Sequence, residues 1–280
     1  CCQRHHSIRT LFLFELKESL SERKKNTTKI ITVDSQWNLR FFYVFPITFC
    51  FIDLHHSSLT FKWLPLSKNK KIMKEIKNIV FDFGGVLIGI DRDKAVKAFQ
   101  EAGVKEAEQL LGEYHQQGIF QEVEDGRMDA ETFRKELSGM CGKELTYKEV
   151  ESGWKGFVTE VPQYKLDYLN ELRKKYKVYI LSNTNPYMMG WARSSELTLA
   201  GKPLDAYVDK IYASYEIGVT KPGRGIFDYM IKDTGLDPAE TIFVDDGASN
   251  IAMGQELGFV TLQPENGEDW RAELDKMLER

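Results

Sequence analysis

Residues 73–280 predict an α/β fold in which a doubly wound parallel sheet carries an inserted helical subdomain. Three features of the sequence indicate this fold. A nearly all-apolar strand comes first, at Asn78–Phe83, a charged block of helical periodicity fills residues 92–160, and strands alternate with helices from residue 163 onward. A continuous apolar strand is typical of a parallel sheet that is buried on both faces, and the helices supply the crossovers that parallel strands need.

The block after the first strand is poor in β-branched runs and predicts a small helical subdomain. Its predicted helices are Asp93–Glu101, Val104–Tyr114, Asp129–Met140 and Thr146–Phe157. Asp129 and Thr146 are suitable N-cap residues, because their side-chain oxygens accept hydrogen bonds from backbone N–H groups in the first helical turn.

The segments after this block supply the rest of the sheet and its flanking helices. The predicted strands are Lys177–Ser182, a short strand within Ala206–Ser214, Thr241–Asp245 and Phe259–Gln263, and the predicted helices are Gln163–Tyr176, Arg224–Thr234, Asn250–Leu257 and Asp269–Arg280. Gly235 and Gly258 each follow a predicted helix, at the position where glycine commonly ends one. Asp237-Pro238 predicts the cap and first residue of a single helical turn.

The first 72 residues differ in composition from the rest of the chain. They contain neither Gly nor Ala, whereas all 21 Gly come later, and they carry 12 Lys and Arg against 5 Asp and Glu. Average Gly usage is about 7%, so we expect residues 1–72 to be a non-native upstream or disordered extension, with Met73 as the true start. The apolar segment 41–54 favours a membrane segment instead, but it is shorter than the ~20 apolar residues of a spanning helix.

Cysteine usage and charge limit the function classes of residues 73–280. Only Cys141 remains there, which excludes an internal disulfide framework and predicts a reducing, cytoplasmic location. The balance is acidic, with 26 Lys and Arg against 37 Asp and Glu, which argues against non-specific nucleic-acid binding. We expect no nucleic-acid and no membrane partner, and a monomer or homodimer.

Asp82 is the candidate nucleophile, because it stands at the carboxyl end of the first predicted strand and before Gly84-Gly85. Open α/β sheets place their active sites at this end of their strands. A carboxylate can attack phosphorus and form an aspartyl-phosphate, which divides one difficult hydrolysis into two easier steps. Taken alone, an Asp that only caps a turn explains this position equally well.

Asp245 and Asp246 follow the predicted strand that begins at Thr241, and they indicate a metal site. Adjacent carboxylates repel one another unless a cation lies between them. Carboxylate oxygens beside a phosphate suit Mg²⁺, which typically binds one or two carboxylates and keeps waters. Ser249 and Asn250 begin the next helix and could hold a water or an acid nearby.

Two further segments fit the same site. Ser182-Asn183-Thr184 follows a strand, and a hydroxyl with backbone N–H groups at such a turn can bind phosphate oxygens. Lys221 precedes Pro222 and could neutralise charge on a phosphoryl group. Each segment is weak alone, because Ser-Asn-Thr commonly forms turns and most lysines are solvated.

The order and character of these four segments resemble the haloacid dehalogenase (HAD) superfamily, over Met73 to about Gln263. The resemblance implies a Rossmann-like core at 73–90 and 163–280, with an α-helical cap at 91–162. It also implies roles for individual residues: Asp82 as nucleophile and metal ligand, Ser182 and Asn183 as phosphate ligands, Lys221 in charge stabilisation, Gly84 as a metal ligand through its backbone carbonyl, and Asp246 as a direct Mg²⁺ ligand, with Asp245 and Asn250 behind it.

Gly84 departs from the pattern of the family's phosphatases, which usually have a second Asp two residues after the nucleophile. That Asp serves as general acid and base, an effect worth roughly 10²–10⁴-fold, and glycine keeps only the backbone carbonyl. A group from the cap could replace the missing acid. The candidates are Asp91, His115, Glu122 and Glu124, and the last three are also the candidate substrate contacts of the cap.

The sequence resembles most the α-D-glucose-1-phosphate phosphatase-like group of the superfamily. The shared features are Phe81-Asp82-Phe83-Gly84, Leu181-Ser182-Asn183-Thr184-Asn185, the cap stretch 120–126, Thr132-Phe133 and Gly153-Trp154. They imply a Mg²⁺-dependent phosphatase acting on a small phosphorylated metabolite, a sugar phosphate such as α-glucose 1-phosphate. The alternatives are a haloacid dehalogenase, disfavoured by the Asp245-Asp246 pair, and a non-catalytic protein that binds phosphate-bearing ligands. Phe120, Phe133 and Trp154 are expected to pack in the core of the cap.

Overall fold

The computed structural model describes residues 74–112 and 115–279 in full, and the backbone of four strands between residues 29 and 65. The chain divides into two compact units, Cys1–Ile72 and Met73–Arg280. In the first unit, strands β1 (Lys29–Val33), β2 (Leu39–Phe45), β3 (Thr48–His55) and β4 (Ser58–Pro65) pair in sequence order as an antiparallel sheet.

Most of the predicted extension lies outside the described residues. Its non-native or disordered character therefore stays a prediction. The described residues of the apolar segment, 41–45 and 48–54, fall within β2 and β3 rather than in a helix. Across the described part of the chain, every helix is too short or too polar to cross a membrane.

The second unit contains a five-stranded parallel sheet, which confirms the predicted α/β fold. Its strands are β5 (Asn78–Phe81), β8 (Lys177–Ser182), β9 (Lys210–Ala213), β10 (Thr241–Val244) and β11 (Val260–Leu262), in the order β11-β10-β5-β8-β9. The central strand β5 is wholly buried and pairs on one side with β10 and on the other with β8. The carboxyl ends of these three strands therefore lie side by side.

In the described part of this unit, six helices accompany the sheet: α6 (Gln163–Leu172), α7 (Pro186–Ala192), α8 (Ser214–Ile217), α9 (Arg224–Thr234), α10 (Ala248–Leu257) and α11 (Arg271–Leu278). Gly235 and Gly258 end α9 and α10 in the left-handed conformation, as predicted. Sequence analysis did not predict α7, which begins with Asn185 as its N-cap and Pro186 as its first residue. These residues are a regular helix start, but the segment is too short to show a helical period.

The inserted subdomain consists of α1 (Arg92–Ala102), α2 (Ala107–Leu110), α3 (Gly118–Glu124), α4 (Ala130–Cys141) and α5 (Tyr147–Lys155). Asp129 and Thr146 cap α4 and α5, as predicted. The predicted helix Val104–Tyr114 is wrong in length, because within its described residues, 104–112, only the single turn α2 forms. Helix α3 was missed because it has only seven residues and begins at a glycine with positive φ.

The core of the subdomain is aromatic. Phe99, Phe120, Phe133 and Trp154 are buried, and their ring centroids lie 5.0–5.9 Å apart. Edge-to-face and tilted pairs of this kind are favourable beyond the area that they bury. The prediction that Phe120, Phe133 and Trp154 pack in this core is confirmed.

A short antiparallel ribbon joins the subdomain to the sheet, and sequence analysis did not predict it. Strand β6 (Gly89–Ile90) pairs with β7 (Val158–Glu160), and Asp91 N donates to Phe157 O at 2.7 Å. The two strands have only two and three residues, too few for an alternating pattern to identify them. The chain therefore enters and leaves the inserted subdomain through the β6–β7 ribbon.

Candidate active site

The ends of the three central strands bring the predicted polar segments together. Asp82 directly follows β5, Ser182 is the last residue of β8, and Asp245 directly follows β10. Asp82 N donates to Val244 O at 2.8 Å, which fixes the first acid against the strand that carries the others. Since parallel neighbours end at the same edge of the sheet, residues far apart in sequence become neighbours here.

Lys221 lies at the centre of the cluster. Its Nζ is 2.9 Å from Asp82 Oδ2 and 2.7 Å from Asp245 Oδ2, and its side chain is 1% exposed. Burial opposes the charge of this ammonium, but the carboxylates of Asp245 and Asp82 outweigh burial and raise the pKa of Lys221. A buried amine that is held protonated in this way is a fixed positive charge next to the candidate nucleophile.

Asn183 holds the backbone of Lys221 through a reciprocal pair of hydrogen bonds. Asn183 Nδ2 donates to Lys221 O at 2.9 Å, and Lys221 N donates to Asn183 Oδ1 at 2.7 Å. Sequence analysis assigned Asn183 to phosphate binding and did not foresee this contact. The contact aligns the loop before the cis Lys221-Pro222 peptide with the end of β8.

Asp245 is oriented by its surroundings and wholly buried. Its Oδ1 accepts hydrogen bonds from Gly247 N at 2.8 Å and Asn250 Nδ2 at 2.9 Å, while Oδ2 faces Lys221. Both oxygens are therefore engaged by protein groups. This arrangement agrees with the expected supporting roles of Asp245 and Asn250.

Asp82 lies at the cavity, together with Lys221 and Asp246. Its Oδ1 accepts a hydrogen bond from Phe83 N at 2.6 Å and its Oδ2 contacts Lys221. Burial raises the pKa of Asp82, Lys221 opposes this shift, and the nearby Asp245 and Asp246 reinforce it. A further cation beside these carboxylates would favour the ionised, nucleophilic form.

The cluster fits a divalent cation. Oxygen atoms of Asp82, Asp245 and Asp246 all lie within 4.8 Å of one another. With Lys221 protonated and the three carboxylates ionised, the cluster has an excess of two negative charges. Carboxylate oxygens in this number, at the edge of a cavity that also reaches Gly84, are the donor set that a hard divalent ion prefers.

A cavity of about 110 Å³ opens over the cluster. Core residues that line it include Asp82, Gly84, Ser182, Asn183, Lys221, Asp246 and Asn250, and the inserted helices and the segment before α3 add Gln116, Glu124 and Trp154. Asp246 also lines a second cavity of about 460 Å³. Drug-sized ligands occupy roughly 300–1,000 Å³, so the first cavity suits a small substrate.

The four candidates for the missing acid lie at different places in the structure. Glu124 lines the cavity over Asp82, whereas His115 and Glu122 do not. His115 is exposed, and Glu122 lies 3.9 Å from Arg127. Asp91 lines the second cavity, and its carboxylate caps α1 by accepting from Lys94 N at 3.2 Å.

Sequence analysis missed several residues of the cavity wall, namely Gln116, Asn185 and Met188, and it assigned Trp154 to packing alone. Asn185 could have been found, because it precedes Pro186 and follows the predicted phosphate-binding turn. Gln116 and Met188 carry no comparable signal, since their place over the sheet depends on how the cap packs.

Comparison with known proteins agrees with this geometry. The model of the haloacid dehalogenase-like hydrolase family matches residues 76–258. A D-ribitol-5-phosphate phosphatase of Bacteroides thetaiotaomicron is 59% identical over 203 residues, which are 72% of this chain and 98% of that protein.

Two groups of solved structures share the fold. A HAD-like family hydrolase from Porphyromonas gingivalis has 43% identity and a TM-score of 0.71, covering 74% of this chain and 100% of its own. A HAD family enzyme from Bacteroides thetaiotaomicron, solved with magnesium and inorganic phosphate, has 38% identity and a TM-score of 0.64, covering 71% of this chain and 98% of its own. The chain belongs to the haloacid dehalogenase-like hydrolase family and is a phosphatase of that type.

Proposed function

We propose that this phosphatase is Mg²⁺-dependent and hydrolyses the phosphate monoester of a small polyol or sugar, with D-ribitol 5-phosphate as the first candidate. The observation that carries the proposal is the contact of Lys221 with both Asp82 and Asp245 beneath a small cavity. The relative at 59% identity supports the choice of polyol phosphate.

Asp82 is the proposed nucleophile of the reaction. Its Oδ1 is held by Phe83 N, and its Oδ2 lies against Lys221 at the floor of the cavity. Attack on phosphorus forms an aspartyl-phosphate and releases the alcohol, and water then hydrolyses this intermediate. Lys221 stabilises the charge on the phosphoryl oxygens, while Ser182 and the turn after it line the cavity where those oxygens would lie.

Asp82, Asp246 and the backbone carbonyl of Gly84 are the proposed Mg²⁺ ligands. A bound Mg²⁺ would neutralise charge on the phosphoryl group during transfer. Asp245 is not a proposed ligand, because it contacts Lys221 and accepts hydrogen bonds from Gly247 and Asn250. Magnesium in the related enzyme from Bacteroides thetaiotaomicron supports this assignment.

The expectation of α-glucose 1-phosphate as substrate finds no support among these relatives, and it stays a second candidate. The alternatives of a haloacid dehalogenase and of a non-catalytic binding protein are disfavoured, because the Asp245-Asp246 pair is present and a close relative is a phosphatase.

Removing the metal is expected to abolish activity. With EDTA, phosphate release from D-ribitol 5-phosphate should fall to background, and an excess of Mg²⁺ should restore it, because the carboxylate cluster would otherwise repel the anionic substrate. A panel with α-glucose 1-phosphate and p-nitrophenyl phosphate would rank the substrates by kcat/KM. Turnover that persists unchanged in EDTA would contradict the proposed metal dependence.

Gly85→Ala is expected to weaken Mg²⁺ binding. Gly85 has φ 75°, and an added Cβ would lie 2.2 Å from Asp246 Oδ2, so Asp246 has to move. Displacing a ligand or its support typically costs about 10–100-fold in metal affinity, which calorimetric titration with Mg²⁺ would measure. Gly139→Ala is the control, since no atom lies within 4 Å of its added Cβ. Equal Mg²⁺ affinity in the two variants would contradict the placement of Asp246 as a ligand.

A further inference from the structure

The structure leaves room for a Cβ at Gly84, the position that lacks an acid. A Cβ added at Gly84 would meet only the side chain of Ile90, at 3.6 and 3.7 Å, which are ordinary contact distances. Among the described residues that line the cavity, the carboxyl groups are those of Asp82, Asp246 and Glu124. The first two belong to the nucleophile and the metal site, so Glu124 is the one carboxyl group there without an assigned role.

The surroundings of Glu124 differ from those of its acidic neighbours. Glu124 ends α3 and is 8% exposed, and no Lys or Arg of residues 74–112 and 115–279 lies within ion-pair distance. Glu122 and Asp125, in contrast, lie 3.9 and 2.7 Å from the guanidinium of Arg127. A buried carboxyl group without a cation partner favours its neutral, proton-carrying form.

The backbone at Glu124 is fixed against the phosphate-binding side of the core. Ser214 Oγ donates to Glu124 O at 2.6 Å and accepts from Thr184 N at 2.9 Å, and Ser214 is wholly buried. At Gly126, φ is 75° and an added Cβ would lie 2.4 Å from Tyr215 O, so the chain approaches the core closely there. Glu124 is therefore held over the end of β8 by contacts that do not involve its own carboxyl group.

Resting on the proposed function, we propose that Glu124 is the general acid and base of the reaction, in place of the acid that Gly84 lacks. In the first step, the bond from Asp82 Oδ to phosphorus forms and the bond from phosphorus to the alkyl oxygen breaks. The leaving oxygen takes the proton of the Glu124 carboxyl group. In the second step, the oxygen of a water molecule attacks phosphorus, and the Glu124 carboxylate accepts the proton that this water loses. The bond from phosphorus to Asp82 breaks.

The electrostatics of the site agree with this role. Burial, reinforced by the charges of Asp125 and Asp82 and opposed by the side chain of Asn185, raises the pKa of Glu124 to about 8. The acid therefore carries a proton at neutral pH. Asp91, in contrast, uses its carboxylate as a helix cap, and its side chain is 37% exposed.

The test compares two leaving groups in Glu124→Gln. An alkyl alkoxide needs a proton to leave, whereas p-nitrophenolate leaves without one. With D-ribitol 5-phosphate, or the best alkyl ester of the panel, kcat is expected to fall by about 10²–10⁴-fold. With p-nitrophenyl phosphate, rapid mixing is expected to show a burst of one p-nitrophenolate per active site and then slow turnover, because the aspartyl-phosphate forms but lacks a base for hydrolysis.

The controls separate this role from general damage. Glu136→Gln changes an exposed glutamate on α4 and is expected to keep wild-type kinetics. Unchanged turnover of the alkyl ester in Glu124→Gln would overturn the proposal, and so would slow turnover of both esters without a burst. Wild-type protein that hydrolyses no ester in the presence of Mg²⁺ would instead refute the proposed function.

A second variant tests the same role by replacement. If Gly84→Asp alone is at least as active as wild type, the double variant Gly84→Asp, Glu124→Gln is expected to regain hydrolysis of the alkyl ester, because Asp at that position then supplies the proton. A double variant as slow as Glu124→Gln would show that Glu124 has another role, and would overturn the proposal.

Discussion

Asp82→Asn is expected to abolish phosphate release from every substrate. The amide cannot form the aspartyl-phosphate, and losses on removing a nucleophile are about 10⁴-fold or more. The variant is expected to fold, because Lys221 keeps its contact with Asp245 at 2.7 Å and Asn keeps an oxygen that can accept from Phe83 N. Steady-state phosphate release would measure the loss of turnover, and circular dichroism would check that the variant is folded.

The control for Asp82→Asn is Asp93→Asn, an equivalent change at an exposed position of α1. It is expected to leave turnover unchanged. Brief incubation of wild type with substrate should also add one phosphoryl group to the protein by mass, and Asp82→Asn should not gain it. If Asp82→Asn kept more than a tenth of the wild-type rate, the nucleophile would have to be another residue.

Lys221→Met is expected to cost both activity and stability. The substitution leaves Asp82 and Asp245 without the ammonium that lies 2.9 and 2.7 Å from them. Breaking a buried ion pair by removing one partner typically costs about 3–5 kcal/mol, because the remaining charge is uncompensated. Urea unfolding in EDTA would measure the loss, and phosphate release with Mg²⁺ is expected to fall to background.

The loss of stability in Lys221→Met should depend on pH. Burial raises the pKa of Asp82 and Lys221 opposes this shift, so without the ammonium the Asp82 carboxylate binds a proton more tightly in the folded than in the unfolded protein. A folded-state pKa above the unfolded value means that stability is gained as pH falls and lost as pH rises through the folded pKa. The free energy of unfolding relative to wild type should therefore be lower at pH 8 than at pH 5.

Lys165→Met is the matched control, since Lys165 is also wholly buried. Its Nζ donates to the carbonyl oxygens of Val86 and Gly267, at 2.8 and 3.3 Å, and does not contact the carboxylate cluster. This variant is expected to lose stability but to keep Mg²⁺-dependent turnover. A Lys221→Met protein as active as Lys165→Met would contradict the assigned role of Lys221.

The sequence predicted the core of the site because the relevant residues stand at strand ends. Asp82, Ser182 and Asp245 each follow or end an apolar strand, and parallel strands bring such ends to one edge of a sheet. The position of Lys221 over them required a loop conformation that Asn183 fixes through backbone contacts. Those contacts connect residues 38 positions apart and leave no periodic signal in the sequence.

The cap was predicted less well, for a physical reason. Helical periodicity identifies the buried face of a helix, but it does not say which end of that helix lies over the active site. Glu122 and Glu124 are two residues apart on α3, and only Glu124 reaches the cavity. Ser214 and Gly126 determine that placement, and both act through contacts between the cap and the core.

The ribbon of β6 and β7 also affects how the chain folds. Asn78 pairs with Lys177, 99 residues later, so the central strand pair closes a long loop. Once Gly89 pairs with Glu160, the path between these strands shortens to 28 residues, 11 before the ribbon and 17 after it. Because the entropic cost of closing a loop grows with the logarithm of its length, the shorter path lowers the free-energy cost of pairing β5 with β8 by roughly 1 kcal/mol. An inserted domain that forms early therefore brings the two halves of the catalytic sheet together.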